Sequence, residues 1–169
     1  MPKTVQKITT FLWFDSQAEE ASSFYVSIFK NSRILAVTRY DDESAKAAGR
    51  PQGSVMTVAF ELDGQAFTAL NGGPLFKFTE AVSLVVNCES QKEVDHFWDK
   101  LTAGGQEVQC GWLKDRYGVS WQITPTALLE MIQDKDPEKS RRTMKAMLTM
   151  KKLDVEALKR AYDGRVTAS

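Results

Sequence analysis

The chain has 169 residues, with 22 Lys and Arg balanced by 22 Asp and Glu, and its 43% hydrophobic and 26% charged content is ordinary for a globular protein able to bury a core. A formal charge of zero provides no global field to draw in nucleic acid or an anionic membrane, and no apolar run approaches the length of a bilayer span. Met1 to Lys7 leads straight into a strand-like segment without an apolar stretch and small-residue cleavage site, so a cytoplasmic protein is expected. Cys88 and Cys110 have no CxxC spacing and are expected as packed, reduced thiols.

Lys7 to Phe14 is rich in β-branched and aromatic residues. It places Thr9, Phe11 and Trp13 on one face and Ile8, Thr10, Leu12 and Phe14 on the other. Asp15 or Ser16 caps the following helix, with Glu19 completing a capping box, and Ala21, Phe24, Tyr25 and Ile28 form its apolar stripe. Arg33 to Tyr40 reads as a strand, and Asp41 to Gly53, with breakers at Gly49, Pro51 and Gly53, as a mobile surface loop. Val55 to Leu62 and Gln65 to Leu70 flank Asp63-Gly64, a type I′ hairpin signal, and Asn71 to Pro74 is a tight bend.

A second unit then repeats the first. Val82 to Val86 is its strand, Gln91 to Leu101 its helix, and Glu107 to Leu113 and Val119 to Thr124 further strands around a turn at Asp115 to Gly118. Ser16 to Tyr25 answers Ser90 to Trp98 at an offset of 74 residues, each following an apolar run that ends in a turn residue, which indicates an internal duplication. The remainder is helical: Ala127 to Gln133, a helix led by Pro137 to about Met150, and Val155 to Tyr162, capped by Asp154 and ended at Gly164. Residues 135 to 165 hold ten Lys or Arg against five Asp or Glu. Leu148, Leu153, Val155 and Leu158 are expected to pack this segment on the core as a strap. The fold class is α+β.

Leu12-Trp13-Phe14-Asp15, Ala21 with Phe24-Tyr25, Asn71 to Pro74, Val94-Asp95 with Trp98, Gly111-Trp112, Asp115 to Gln122 and Met147 to Asp154 together resemble the vicinal-oxygen-chelate superfamily of glyoxalase and bleomycin-resistance folds, and within it the PhnB-like branch. The resemblance implies paired βαβββ modules with curved mixed sheets enclosing a cavity, usually completed in a homodimer. It implies a single domain: module one at about 7–75, module two at about 78–125 and a helical extension at 126–169. Metal-dependent members place His or Glu ligands on the first strand of each module and on the strand after each hairpin. Here those positions fall at Ile8, Ala81, Thr68 and Gln122, none of which offers imidazole or carboxylate to a divalent ion, and His96 lies on a helix. No metal and no cofactor is therefore expected. Some members of the branch are labelled 3-demethylubiquinone methyltransferases, yet a strand–glycine-rich loop–helix suited to a nucleotide-like cofactor is missing. Gly72-Gly73 and Gly104-Gly105 read as turn punctuation.

Strand parity assigns Thr10, Thr68, Ser83, Ser120 and Gln122 to a cavity lining of apolar wall, hydroxyls and one amide, with no Lys or Arg on those parities. Such a surface is either a plain filled core or a pocket for a small neutral organic ligand. Trp13, Trp98 and Trp121 are expected in packing between layers. The expected function is a metal-free small-molecule-binding protein. An enzyme with loop-borne acid–base groups, from Asp115, Glu80 or Tyr117, is the first alternative. A partner-binding module using the basic C-terminal helices is the second. No Gly-x-Ser-x-Gly elbow is present, and Cys88 alone is placed where a reactive thiol would merit a test.

Overall fold

The structure, a computed structural model, describes residues 5–165. They divide into two compact units, with the boundary between Phe78 and Thr79. The first unit runs β1 (Thr10–Phe14), α1 (Ala18–Ile28), β2 (Arg33–Arg39), α2 (Asp42–Ala48), β3 (Val55–Leu62) and β4 (Gln65–Asn71). The second runs β5 (Leu84–Cys88), α3 (Gln91–Thr102), β6 (Gln106–Glu107), β7 (Trp112–Lys114) and β8 (Ser120–Pro125), then α4 (Thr126–Ile132), α5 (Pro137–Met147) and α6 (Val155–Tyr162).

Each unit contains a four-stranded mixed sheet, and their topologies coincide: β1-β4-β3-β2 and β5-β8-β7-β6. In both, the first strand lies parallel to the last, Thr10 opposite Phe67 and Leu84 opposite Trp121. Thr10 and Leu84 stand at the same 74-residue offset as Ser16 and Ser90, so the repeat read from sequence is a repeat of βαβββ architecture. The class is α+β, as expected.

In the first unit strict alternation buries Val58, Phe60 and Leu62 of β3 and Phe67, Ala69 and Asn71 of β4. Ala18, Ala21, Ser22, Tyr25 and Ile28 form the matching stripe on α1. Tyr25 stacks on Phe60 at 6.3 Å between ring centroids, and Phe60 on Phe67 at 5.4 Å. Each such buried side chain contributes about 1.5–3 kcal/mol. The β3–β4 turn has positive φ at both Asp63 (47°) and Gly64 (78°), the type I′ geometry the Asp-Gly pair predicts.

Several local expectations are corrected. Asp41 to Gly53 is not a plain loop, because it contains α2. Asp41 and Ser44 close a reciprocal capping box there, and Gly49 takes the left-handed C-cap at φ 63°. The α1 cap is not Ser16 with Glu19, since Gln17 holds the N-cap without a side-chain bond. The donor is satisfied from afar: Asn71 Oδ1 accepts from Ala18 N at 2.8 Å, while Asn71 Nδ2 donates to Val55 O and the Asn71 carbonyl accepts from Tyr40 Oη. The expected strand from Glu107 to Leu113 is a hairpin, β6 and β7, broken by positive φ at Cys110 and Gly111. Gly111 has Ile123 O and Leu153 packed where a side chain would begin, so only glycine fits.

The C-terminal helices pack into their own cluster of Leu128, Met131, Leu153 and Leu158. The segment 150–155 is tied to the second unit by Cys110 N and Gly111 N donating to Met150 O and Lys151 O. The Gln91 amide adds a pair of bonds, donating to Leu153 O at 3.1 Å and accepting from Val155 N at 2.8 Å. Leu153, Val155 and Leu158 are buried as the strap reading requires, whereas Leu148 is 61% exposed and leaves that series.

Candidate functional site

Register decides which side chains share a face. In the first sheet Thr10 pairs with Phe67 and Phe11 with Thr68. Thr10 therefore joins Leu12 and Phe14 on the face that α1 covers, and the expectation that it lines one surface with Thr68 is overturned. The cause is the core: Leu12 and Phe14 are 8% and 2% exposed. Thr68 lies on the opposite, open face with Phe11, Trp13, Ala59 and Leu70. Ile8 precedes β1 and is 84% exposed, and Ala81 occupies the turn before β5, so neither former ligand position lies in a strand.

Trp13, expected in inter-layer packing, also stands on the open face. Its ring lies over Gly72, its Nε1 donates to Gly73 O at 2.9 Å, and Phe76 meets it edge-on at 4.9 Å. The Gly72 position is thus filled by tryptophan, and a Cβ at Gly105 would strike Lys114 O. Both glycine pairs serve close packing, and neither forms a cradle for a nucleotide-like cofactor.

In the second sheet the expected residues do come together. Val85 pairs with Gln122 and Asn87 with Thr124, while Leu84, Val86 and Cys88 take the other parity with the buried Trp121, Ile123 and Pro125. Gln122 Nε2 donates to Ser83 Oγ at 2.9 Å, bridging β8 to the residue before β5. That bond leaves the amide oxygen as an acceptor on the open face. Ser120, on the same parity of β8, is 2% exposed, and its Oγ has no hydrogen-bond partner among the described residues.

A cation lies on this face, contrary to the expectation of none: Lys114 is paired with Ser120 across β7 and β8. Its Nζ forms an ion pair with Glu80, whose carboxyl is held below the usual carboxylate range by the lysine's hydrogen bond. On the first sheet Glu61 is likewise matched by Arg33 at 3.0 Å. Counting one position on from the buried Leu113 places Lys114 on the open face.

The loop-borne acid–base candidates have other work. Asp115 is 3% exposed, with Oδ1 accepting from Tyr117 N and Val119 N, and Oδ2 accepting from Trp121 Nε1 at 2.9 Å. It organises the turn into β8. Cys88 is fully buried, and burial, followed by the charge of Glu93, pushes its thiol up to about 12. A thiol at that value is overwhelmingly protonated at neutral pH and is a poor nucleophile. His96 is exposed on α3, edge-on to Phe97. Among the described residues no three His, Cys, Asp or Glu side chains cluster as a metal-binding group. Thr68 and Gln122 are neutral donors, a set that does not fit a divalent ion.

A family model described as 3-demethylubiquinone-9 3-methyltransferase matches residues 6–124. A PhnB protein of Bacillus cereus carrying the same methyltransferase name is 40% identical, over 72% of this chain and 100% of that one, with a TM-score of 0.64. Protein PA1353 of Pseudomonas aeruginosa is 20% identical, over 71% of this chain and 97% of its own, at 0.58. The fosfomycin resistance protein FosX of Listeria monocytogenes is 15% identical, over 79% and 100%, at 0.54, a likeness of fold. No curated protein matches the chain. With the duplicated βαβββ sheets and this match over most of its length, the chain has the fold of the vicinal-oxygen-chelate proteins and belongs to the PhnB-like 3-demethylubiquinone-9 3-methyltransferase family.

Proposed function

We propose that the chain is a metal-free binding protein for a small, uncharged organic molecule, held on the open face of the second sheet by Ser83 and Gln122. The observation that carries the reading is the Gln122 amide, whose nitrogen is committed to Ser83 and whose oxygen is left as a neutral acceptor on that face. A ligand hydroxyl or N–H that donates to that oxygen contributes about 0.5–1.5 kcal/mol. The nearby charge is neutralised within the protein, since Lys114 is engaged by Glu80, so an incoming phosphate or carboxylate competes with an existing ion pair. Thr68 supplies a hydroxyl to the open face of the first sheet; Thr10 has no part in the site.

The metal-free reading is supported by the donor chemistry at Thr68 and Gln122. A homodimer belongs to the same proposal: Ile8, Phe11, Leu75, Phe76, Val82 and Val85 are apolar and at least half exposed in the single chain. So does action of both modules as one domain, in the cytoplasm, without nucleic acid. No helix among the described residues is long and apolar enough to cross a membrane.

Thermal-shift screening tests the site. Neutral carbonyl and aromatic compounds are expected to stabilise the protein more than phosphorylated ones. Gln122→Leu is expected to weaken a neutral hit by about 1–3 kcal/mol. A preference for phosphates that survives Gln122→Leu refutes the assignment. One equivalent of Zn, Ni, Mn or Fe in untreated protein, lost on Gln122→Ala, refutes the metal-free reading.

A further inference from the structure

Leu148 left the expected core, and its surroundings explain what the surface there is suited to do. Leu148 lines a depression of about 540 Å³ together with Asp134, Lys135, Ser140, Arg141, Met144 and Lys145. Pro137, Arg141, Met144, Lys145 and Leu148 recur at helical spacing, so one outward stripe of α5 and its C-cap forms the wall. The opposite face of the helix is occupied, with Thr143 fully buried.

The acidic member of the lining is already used. Asp134 Oδ2 accepts from Tyr162 Oη at 2.5 Å, and that bond holds its carboxyl below the ordinary range. Ser140 Oγ is also committed, donating to Ile132 O. Arg141 is tied to Glu138, but Lys135 and Lys145 carry no ion pair among the described residues. What remains for a partner is an apolar floor, Met144 and Leu148, between unmatched cations.

We propose that this depression docks an acidic helical segment of a partner protein, whose apolar side chains seat on Met144 and Leu148 while its carboxylates face Lys135, Arg141 and Lys145. Charge complementarity selects the sign of the occupant, and an amphipathic helix can present apolar anchors and carboxylates side by side from successive turns. The concavity favours a protruding side chain over a lipid surface, which takes up a convex amphipathic helix with a broader apolar face.

Fluorescence anisotropy with a labelled helical peptide of leucines at every third or fourth position, glutamates between, tests the proposal on the full chain. The peptide is expected to bind, more weakly as salt rises, and its lysine counterpart is not. Leu148→Ser and Lys145→Glu each change an exposed position and are expected to weaken binding about tenfold or more. Lys159→Glu, on α6 outside the depression, is expected to leave it unchanged. Absence of binding overturns the proposal, as does equal binding of the lysine peptide. An equal loss with Lys159→Glu overturns it too, by showing generic attraction to the basic tail. Phosphatidylserine vesicles that bind in a Leu148-dependent manner, where the peptide does not, transfer the surface to a membrane.

Discussion

Asp115→Asn separates a turn-organising carboxylate from a catalytic one. The side chain keeps its shape, but one acceptor oxygen becomes an NH2. If the remaining oxygen stays on Tyr117 N and Val119 N, the new donor confronts Trp121 Nε1, which now sits at 2.9 Å from the carboxylate. If the amide turns over, the conflict moves to the two backbone donors. Either way a buried donor is left without an acceptor, at about 1–3 kcal/mol, and charge assistance is removed from the bonds that survive. The expected destabilisation is about 2–4 kcal/mol, measured as a lower urea midpoint at unchanged m. Trp121→Phe removes the conflicting donor, so the double variant should lose less than the sum of the singles by at least about 0.5 kcal/mol. A change below about 0.5 kcal/mol in Asp115→Asn, or strict additivity, refutes the structural account and returns Asp115 to the catalytic candidates.

Asn71→Leu strands Ala18 N and Val55 O in the first unit and is expected to lower stability by about 2–4 kcal/mol, read by chemical denaturation. Cys88 should resist iodoacetamide in native protein at pH 8 and react once unfolded. Because burial raises its folded pKa from the ordinary thiol value of 9.0 to about 12, its contribution is intact below pH 9 and declines as pH rises from there towards 12; equal native and unfolded alkylation rates contradict this. Gln91→Leu frees Leu153 O and Val155 N together and should raise amide hydrogen exchange across 150–158 before it affects α1.

The duplication, the α+β class and most elements were legible because they rest on local periodicity and turn chemistry, as at Asp63-Gly64 and Asp154. What escaped the sequence was long-range. Asn71 caps α1 from 53 residues away, a contact no capping-box pattern contains. Thr10 was assigned to the wrong face because parity within one strand leaves open which side the helix covers. Register with Phe67 settles it. In the second sheet the same parity argument puts Ser83, Ser120 and Gln122 on one face, yet it passes over Lys114 because the expected strand ends one residue early, at Leu113. The helix α2 was hidden among small polar residues whose only strong signal was Asp41 three residues before Ser44.

Pairing the first strand with the last has a consequence for the order of assembly. Neither sheet has its central pair until its final strand has been made, at Asn71 for the first and Pro125 for the second. Thr10 must find Phe67 across 57 residues, whereas Leu84 meets Trp121 across 37. Loop-closure entropy makes the longer search costlier by only about 0.4 kcal/mol, so chain length scarcely distinguishes the two. Emergence from the ribosome does: every strand of the first sheet is available before β5 exists, and β1 can take its own partner before β8, the strand that corresponds to β4, has been synthesised.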